Sequence, residues 1–399
     1  MERPRPLAGI RVVEFGNLIA APHAGMLLAD LGAEVIKVEP LAGDLGRHLG
    51  PSKQGEAVFF LSANRGKRSI AIDPKDPDAH LWLIRLIESS DVVLNNLRRG
   101  AMERMGFGWE EIHAVDPGIV YAVVSAFAAE GPDAERAGID LIFQGESGMM
   151  SISGDEGDPP AKTATTIGDY VAGIHTALAI SAALVERSAT GKGRRVDVSL
   201  RDGLLAVQGG WNALFFATGE QPARRGTASA YTAPNETFTT ADGHLNVAIV
   251  SDRHFMVLCD ALDRPDLATD RRYATNDDRM THRVELAAEL NAAFATDTTG
   301  TWLAILTRAG LPVGRIRSLG EVFDDPQAVL NEMSVEIEHP TAGRVTVTGS
   351  PMRYDGTPAV ADDVPPPRLG ADGPALLAEL GADPAEIKSL VERGSLRLP

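Results

Sequence analysis

Apolar and polar positions along the chain follow two rhythms. Ile10 to Phe15 is a short β-rich run, Pro22 to Leu31 places its apolar residues at helical spacing ahead of Gly32, and Glu34 to Glu39 is strand-like again. This is one βαβ unit. The pattern continues with strand Ser69 to Asp73, helix Asp76 to Ser89, strand Asp91 to Asn96 and strand Gly118 to Phe127. A helix from Tyr170 to Arg187 then ends at Thr190-Gly191-Lys192-Gly193, with Arg195 to Leu200 as a further strand and a helix starting near Asp202. Such alternation predicts a parallel, Rossmann-like sheet covered by helices, within residues 1–221.

Around Pro222 to Pro234 the composition shifts to Arg, Gly, Thr, Ser and Pro. Hairpin-like strands Glu236 to Thr240 and Leu245 to Val250, joined through Asp242-Gly243, precede helices up to Leu311. These features predict a second, smaller α+β domain over 222–313. From Gly314 the chain carries strands Val335 to Glu338 and Val345 to Thr348, a Pro-rich stretch and a polar helix. Segment 314–399 is expected to return to the large domain.

Composition narrows the function. With 38 basic and 55 acidic residues the net charge is −17, which repels a phosphate backbone or an anionic membrane, so nucleic acid and membrane partners are not expected. The single cysteine, Cys259, lies in the apolar run Phe255 to Leu262 and reads as a buried structural thiol in a reducing compartment. Met1 to Pro6 lacks a secretory apolar core, which points to the cytoplasm. The longest mostly apolar stretch, Val171 to Val185, is shorter than the ~20 residues that span a bilayer and reads as a soluble helix.

The turn after the first strand, Gly16-Asn17-Leu18-Ile19-Ala20, lacks the spaced glycines that let a backbone approach a pyrophosphate, so a nicotinamide-linked dehydrogenase ranks last. No P-loop, His-Glu-x-x-His or Gly-x-Ser-x-Gly occurs, and the 9 histidines have no ligand spacing. No metal is expected. Asp169, in Thr166-Ile167-Gly168-Asp169-Tyr170, stands at the start of the most apolar helix, where a carboxylate meets free N–H groups and the positive dipole end. By local sequence alone it is either an ordinary N-cap or a functional carboxylate. Basic residues cluster at Arg65-Gly66-Lys67-Arg68 with Lys75, at Arg98-Arg99 with Arg104, and at Arg224-Arg225. The first two groups flank strands of one sheet, where they suit either a phosphate-bearing ligand at the strand ends or a solvated face.

The chain as a whole resembles the class III CoA-transferase family, which includes formyl-CoA and carnitine CoA-transferases and the related α-methylacyl-CoA racemases. The resemblance runs through Pro6-Leu7-Ala8-Gly9-Ile10-Arg11-Val12-Val13-Glu14-Phe15, Leu27 to Glu39, Asn64-Arg65-Gly66-Lys67-Arg68-Ser69, Gly138-Ile139-Asp140, Thr190-Gly191-Lys192-Gly193 and Pro367-Arg368-Leu369-Gly370. It implies that Asp169 is the catalytic aspartate. It also implies that the CoA nucleotide lies along Asn17, Leu18, Ile19 and Ala20, along Ile72 and Lys75, and near Asn96, Leu97 and Arg104. A homodimer of two interlocked rings is implied as well, with acyl-CoA and a carboxylic acid as the small-molecule partners.

Departures from the family pattern bear on the reaction. Racemases place a histidine where this chain has Ile139, and Ile cannot move a proton, so racemisation by that pair is unavailable. Formyl-CoA enzymes carry a glutamine where this chain has Ile19, a tryptophan where it has Leu49, and a glycine-rich flap that has no counterpart between Gly226 and Gly300. A more apolar pocket and an acyl group larger than formyl follow, with Ile139 and Asp140 at the pocket. Asp140 reads either as a support for that pocket or as a solvent-facing loop carboxylate. The leading expectation is CoA transfer through an aspartyl-CoA intermediate; an acyl-CoA racemase or isomerase and a non-catalytic CoA-binding protein are the alternatives.

Overall fold

Strands that are apolar on both faces explain the first rhythm. In the computed structural model, which describes residues 5–361 and 364–399, six parallel strands form one sheet: β1 (Arg11–Phe15), β2 (Glu34–Glu39), β3 (Lys67–Ile72), β4 (Val92–Asn95), β5 (Val120–Ser125) and β6 (Arg195–Ser199). Their spatial order is 3-2-1-4-5-6, and a final strand, Leu396–Arg397, adds antiparallel beside β3. Val12, Val35, Val92 and Leu94 face one core, while Val13, Ile36, Val93 and Ile70 face the other. Both sides of the sheet are therefore covered, as parallel sheets require.

Helices α1 (Ala20–Asp30) and α4 (Ile167–Thr190) pack on the first face. On the second lie α2 (Pro77–Glu88) and the C-terminal helices Gly373–Glu379 and Pro384–Glu392, through Trp82, Leu83, Leu376 and Leu390. Asp76 caps α2 by accepting from the N–H groups of Asp78 and Ala79, with Pro77 in the first turn. Helix α3 (Asp140–Glu146) and helix α5 (Leu200–Val207) pack beside α4.

The chain divides into two units. The larger runs up to Met149, resumes over Thr163–Asn212 and closes with the chain from Asp325; the smaller comprises Met150–Lys162 and Ala213–Asp324. These limits differ from the sequence expectation of 222–313. Strand Val313–Arg315 pairs with His244–Ala248 and so keeps the chain in the smaller unit beyond 313, while a short excursion at 150–162 joins it too. Asn235–Thr239 completes this three-stranded antiparallel sheet, whose core contains Phe238, Leu258, Cys259 and Phe294. Cys259 is fully buried, and burial pushes its thiol up to about 11.

Helix α4 corrects a second expectation. It spans 24 residues, long and apolar enough to cross a membrane by length and composition, because Ile167 to Tyr170 and Glu186 to Thr190 extend the helix beyond the apolar stretch at both ends. Yet Val171, Ala172, Thr176, Ile180 and Leu184 are buried in the core against α1 and the sheet. At Gly173 a Cβ would meet the Ala20 carbonyl at 2.9 Å, so only glycine lets the two helices approach this closely.

The basic group at Arg65 to Arg68 is also not a free phosphate-binding face. Arg65 grips Asp30 through two hydrogen bonds of 3.0 and 2.6 Å, and Arg68 pairs with Glu34 and Glu379. Lys67, fully buried, lies 2.8 Å from Glu14 and donates to the Pro22 carbonyl and to Asn64. Glu14 in turn meets Lys37 at 2.8 Å, and Lys37 lies 2.8 Å from Asp44. Burial opposes the charge on Lys37, but Glu14, Asp44 and Glu39 hold its proton affinity above the ordinary lysine value. Gly25 of α1 makes room for this lattice, since a Cβ there would stand 2.1 Å from the Glu14 carboxylate.

Removing one member of a buried ionic set strands its partners. Lys37→Met is expected to lose about 3–5 kcal/mol of stability, read as a lower urea midpoint at unchanged slope. A loss below about 1 kcal/mol would mean that the lattice is not structurally important.

Candidate active site

The loops after β1 and β4 meet where the strand order reverses, which is the crevice that open α/β sheets offer to ligands. Asn17 donates its N–H to the Asn96 side chain at 2.8 Å, and Asn96 returns a bond to the Asn17 carbonyl at 2.9 Å. Lys37 donates to the Gly16 carbonyl, and Asp44 accepts the N–H of Leu18 at 3.0 Å, which holds Leu18 at φ 65°. A non-glycine residue keeps such a conformation only when its surroundings impose it. Burial opposes ionisation of Asp44, but Lys37 holds its carboxyl below the ordinary aspartate value. The expected nucleotide loop is thus fixed by four hydrogen bonds.

Of the other expected ligand residues, Asn96 and Leu97 stand beside this loop, with Leu97 packed partly into the core. Lys75 and Arg104 are exposed, at the ends of the connections leaving β3 and β4, and neither forms an ion pair among the described residues. Ile72 is buried in β3, where Leu396 of the final strand pairs with it. Ile19 and Ala20 are buried at the start of α1.

Asp169 enters from α4. Thr166 occupies the N-cap position and Asp169 is the third helical residue, so it is not the cap that local sequence allowed. Its carboxylate accepts no hydrogen bond from the described residues. Burial, and then the charge of Asp140, push its pKa up to about 7. The neighbouring Tyr170 ring meets His23 of α1 edge-on, with centroids 4.9 Å apart, which sets the first turn of α4 beside the first turn of α1. His23 is driven down to about 4 by burial, Lys67 and Arg65, and is neutral there.

Asp140 is buried, which excludes the solvent-facing alternative. One oxygen accepts the N–H of Gly168 at 2.8 Å and the other accepts the Gln144 amide at 2.6 Å. Ile139, just before it, is 65% exposed, and Leu141 and Ile142 are exposed too. Sequence reasoning missed Gln144, Glu14, Lys37, Asp44 and His23 as parts of this region. The only early signal for Gln144 was its spacing of four from Asp140, which places both on one face of a helix.

Titration of Asp169, followed by carbon NMR of labelled aspartate, is expected to show a midpoint near 7, and Asp140→Asn is expected to bring it down, because the repelling charge is removed while burial remains. An ordinary midpoint near ~4 in the unmodified protein would contradict this electrostatic picture.

Among the described residues no group of three His, Cys, Asp or Glu side chains could hold a metal ion. Residues 7–373 match the model of CoA-transferase family III. The chain is 36% identical over 393 residues to the succinyl-CoA:glutarate CoA-transferase of Mus musculus, covering 98% of this chain and 90% of that protein. It is 33% identical over 383 residues to the acetyl-CoA:oxalate CoA-transferase of Acetobacter aceti, covering 96% and 97%. The crystal structure of a CAIB/BAIF family protein from Brucella suis superposes with a TM-score of 0.85 at 34% identity, covering 95% of this chain and all of that one. Family model, curated relatives and superposed structure agree over nearly the whole chain, and the chain belongs to CoA-transferase family III and is an enzyme of CoA transfer.

Proposed function

We propose that this enzyme moves CoA from an acyl-CoA thioester to an acceptor carboxylic acid through a thioester on Asp169. The observation that carries the reading is the Asp169 carboxylate itself: without a hydrogen bond among the described residues, partly buried, and with its pKa raised to about 7 by burial and the charge of the buried Asp140. A carboxylate with raised proton affinity is a stronger nucleophile once ionised.

The steps balance without an added proton. Asp169 attacks the donor acyl carbon, the C–S bond breaks, and CoA leaves as thiolate from a mixed anhydride. The thiolate then attacks the aspartyl carbonyl and expels the donor carboxylate, leaving aspartyl-CoA. The acceptor carboxylate repeats the exchange in reverse. Helix N-terminal amides suit the tetrahedral oxyanions; the Gly168 N–H is given to Asp140, so these donors are its neighbours in the α4 first turn.

In this reading the CoA nucleotide lies along Asn17 to Ala20 and near Ile72, beside Asn96 and Leu97, with Lys75 and Arg104 on its phosphates. Ile139 borders the acyl pocket and favours acids larger than formate. Succinyl-CoA is the first donor to test, given the named substrate of the mouse relative. The homodimer belongs to the same reading, supported by Ile174, Leu178 and Val185, which leave one exposed apolar stripe on α4. So does a cytoplasmic location, with the long apolar helix engaged in the core.

Two experiments test the reaction type. Asp169→Asn is expected to retain CoA binding while transfer falls at least about a thousandfold, since the nucleophile is lost and the nucleotide contacts remain; more than a few per cent of residual activity would refute the assignment. In deuterated water, a 2-methylacyl-CoA without acceptor should gain negligible α-deuterium, whereas an acceptor acid should yield a new thioester. Rapid α-exchange without acceptor, lost in Asp169→Ala, would replace transfer by isomerisation.

A further inference from the structure

Gln144 is fully buried in α3, four residues after Asp140, and its amide is saturated. Its oxygen accepts the N–H of Thr163 at 2.8 Å and the Thr163 hydroxyl at 3.3 Å. Its nitrogen donates to Asp140 at 2.6 Å and to the Thr165 carbonyl at 3.4 Å. The chain re-enters the larger unit at Thr163, six residues before Asp169. A backbone N–H can only donate, so Thr163 fixes which end of the amide faces it; the NH2 end must then face residue 140, and that residue must accept. A carboxylate at 140 satisfies this while also accepting the N–H of Gly168.

We propose that Gln144 is a positioning residue for CoA transfer: by bonding Thr163 on one side and Asp140 on the other it fastens the Thr163–Gly168 segment to α3, thereby setting the place of the nucleophile. The inference rests on the reading of Asp169 as that nucleophile. A Cβ at Gly168 would lie 3.1 Å from the Asp140 carboxylate, so the segment has little room to shift once this network is made. The charged and titratable groups around it are few. Helix α4 brings Asp169 and Tyr170, and α1 brings the neutral His23. Glu146 of α3 is engaged outside with Arg136, and Arg201 and Asp202 of α5 pair with each other there.

The test is steady-state transfer from about pH 6 to 9 with the unmodified enzyme, Gln144→Met and Gln144→Glu. Methionine keeps the volume but removes every polar contact, and should lower kcat about ten- to a hundredfold while KM for acyl-CoA stays within about twofold. Glutamate, when it carries a proton, can accept from Thr163 and donate to Asp140. That variant should recover most of the lost kcat near neutral pH and lose it again in the alkaline range, where two adjacent buried carboxylates cannot both be ionised without repulsion. The unmodified enzyme should stay flat there. A methionine variant with kcat within about twofold of the unmodified enzyme would overturn the proposal. So would a glutamate variant with the same pH profile as methionine, or a methionine variant whose KM rises as much as its kcat falls. If the unmodified enzyme transfers no CoA to any acid, the transfer reading itself fails, and this proposal with it.

Discussion

Five buried charges beneath the first turn of the sheet set the conditions for everything above them. Glu14, Lys37, Lys67, Asp44 and Glu39 are nearly inaccessible, and each has at least one partner of opposite charge within this lattice or at its edge, as Glu39 has in Arg47. Buried ions of this kind contribute little net stability compared with an apolar core, but they fix geometry, because any displacement exposes an unpaired charge to a low dielectric. Here the fixed object is a loop. Lys37 and Asp44 hold Gly16 and Leu18 directly, and the Asn17–Asn96 pair ties that loop to the next strand at the reversal of strand order. The apolar sheet supplies the platform, and the lattice determines where its ligand edge lies.

A second electrostatic arrangement works in the opposite sense. The lattice below the loop neutralises charge with charge, whereas at Asp169 burial and the charge of Asp140 act together, and no cation among the described residues offsets them. Asp140 is compensated by hydrogen bonds from Gly168 and Gln144, and Asp169 is not. The hydrogen bonds anchor Asp140 in place, while burial and the Asp140 charge raise the proton affinity of Asp169, the proposed nucleophile. The glycines at 168 and 173 permit the approach of α4 to α3 and α1 that this arrangement requires.

Much of this was legible in the sequence because the central strands are apolar on both faces and helical spacing, ended by Gly32 after α1 and by Gly191 after α4, separates them. Val12 and Val13 point to different cores, and no alternative element accommodates such a run. What was not legible depended on partners distant in sequence. Lys67 reads as part of a basic cluster until Glu14, from β1, is seen beside it, and Arg65 until Asp30 is. By local sequence Asp169 is either a cap or a functional carboxylate until Thr166 takes the cap position, and Asp140 either a pocket support or a loop carboxylate until the Gly168 N–H is found bonded to it. The polar run Gly154 to Pro160 does not tell which unit the excursion at 150–162 joins, and the stay of Val313–Arg315 in the smaller unit is set by pairing rather than by local preference.

The central claim is that Asp169 carries CoA during turnover. The most direct measurement is mass spectrometry of enzyme mixed with succinyl-CoA without an acceptor, quenched in acid and digested. The account predicts one CoA per active site, located on the peptide containing Asp169 and converted by borohydride to the alcohol expected of a reduced aspartyl thioester. Turnover-competent enzyme with no adduct at that residue, or with CoA on another side chain, would contradict it.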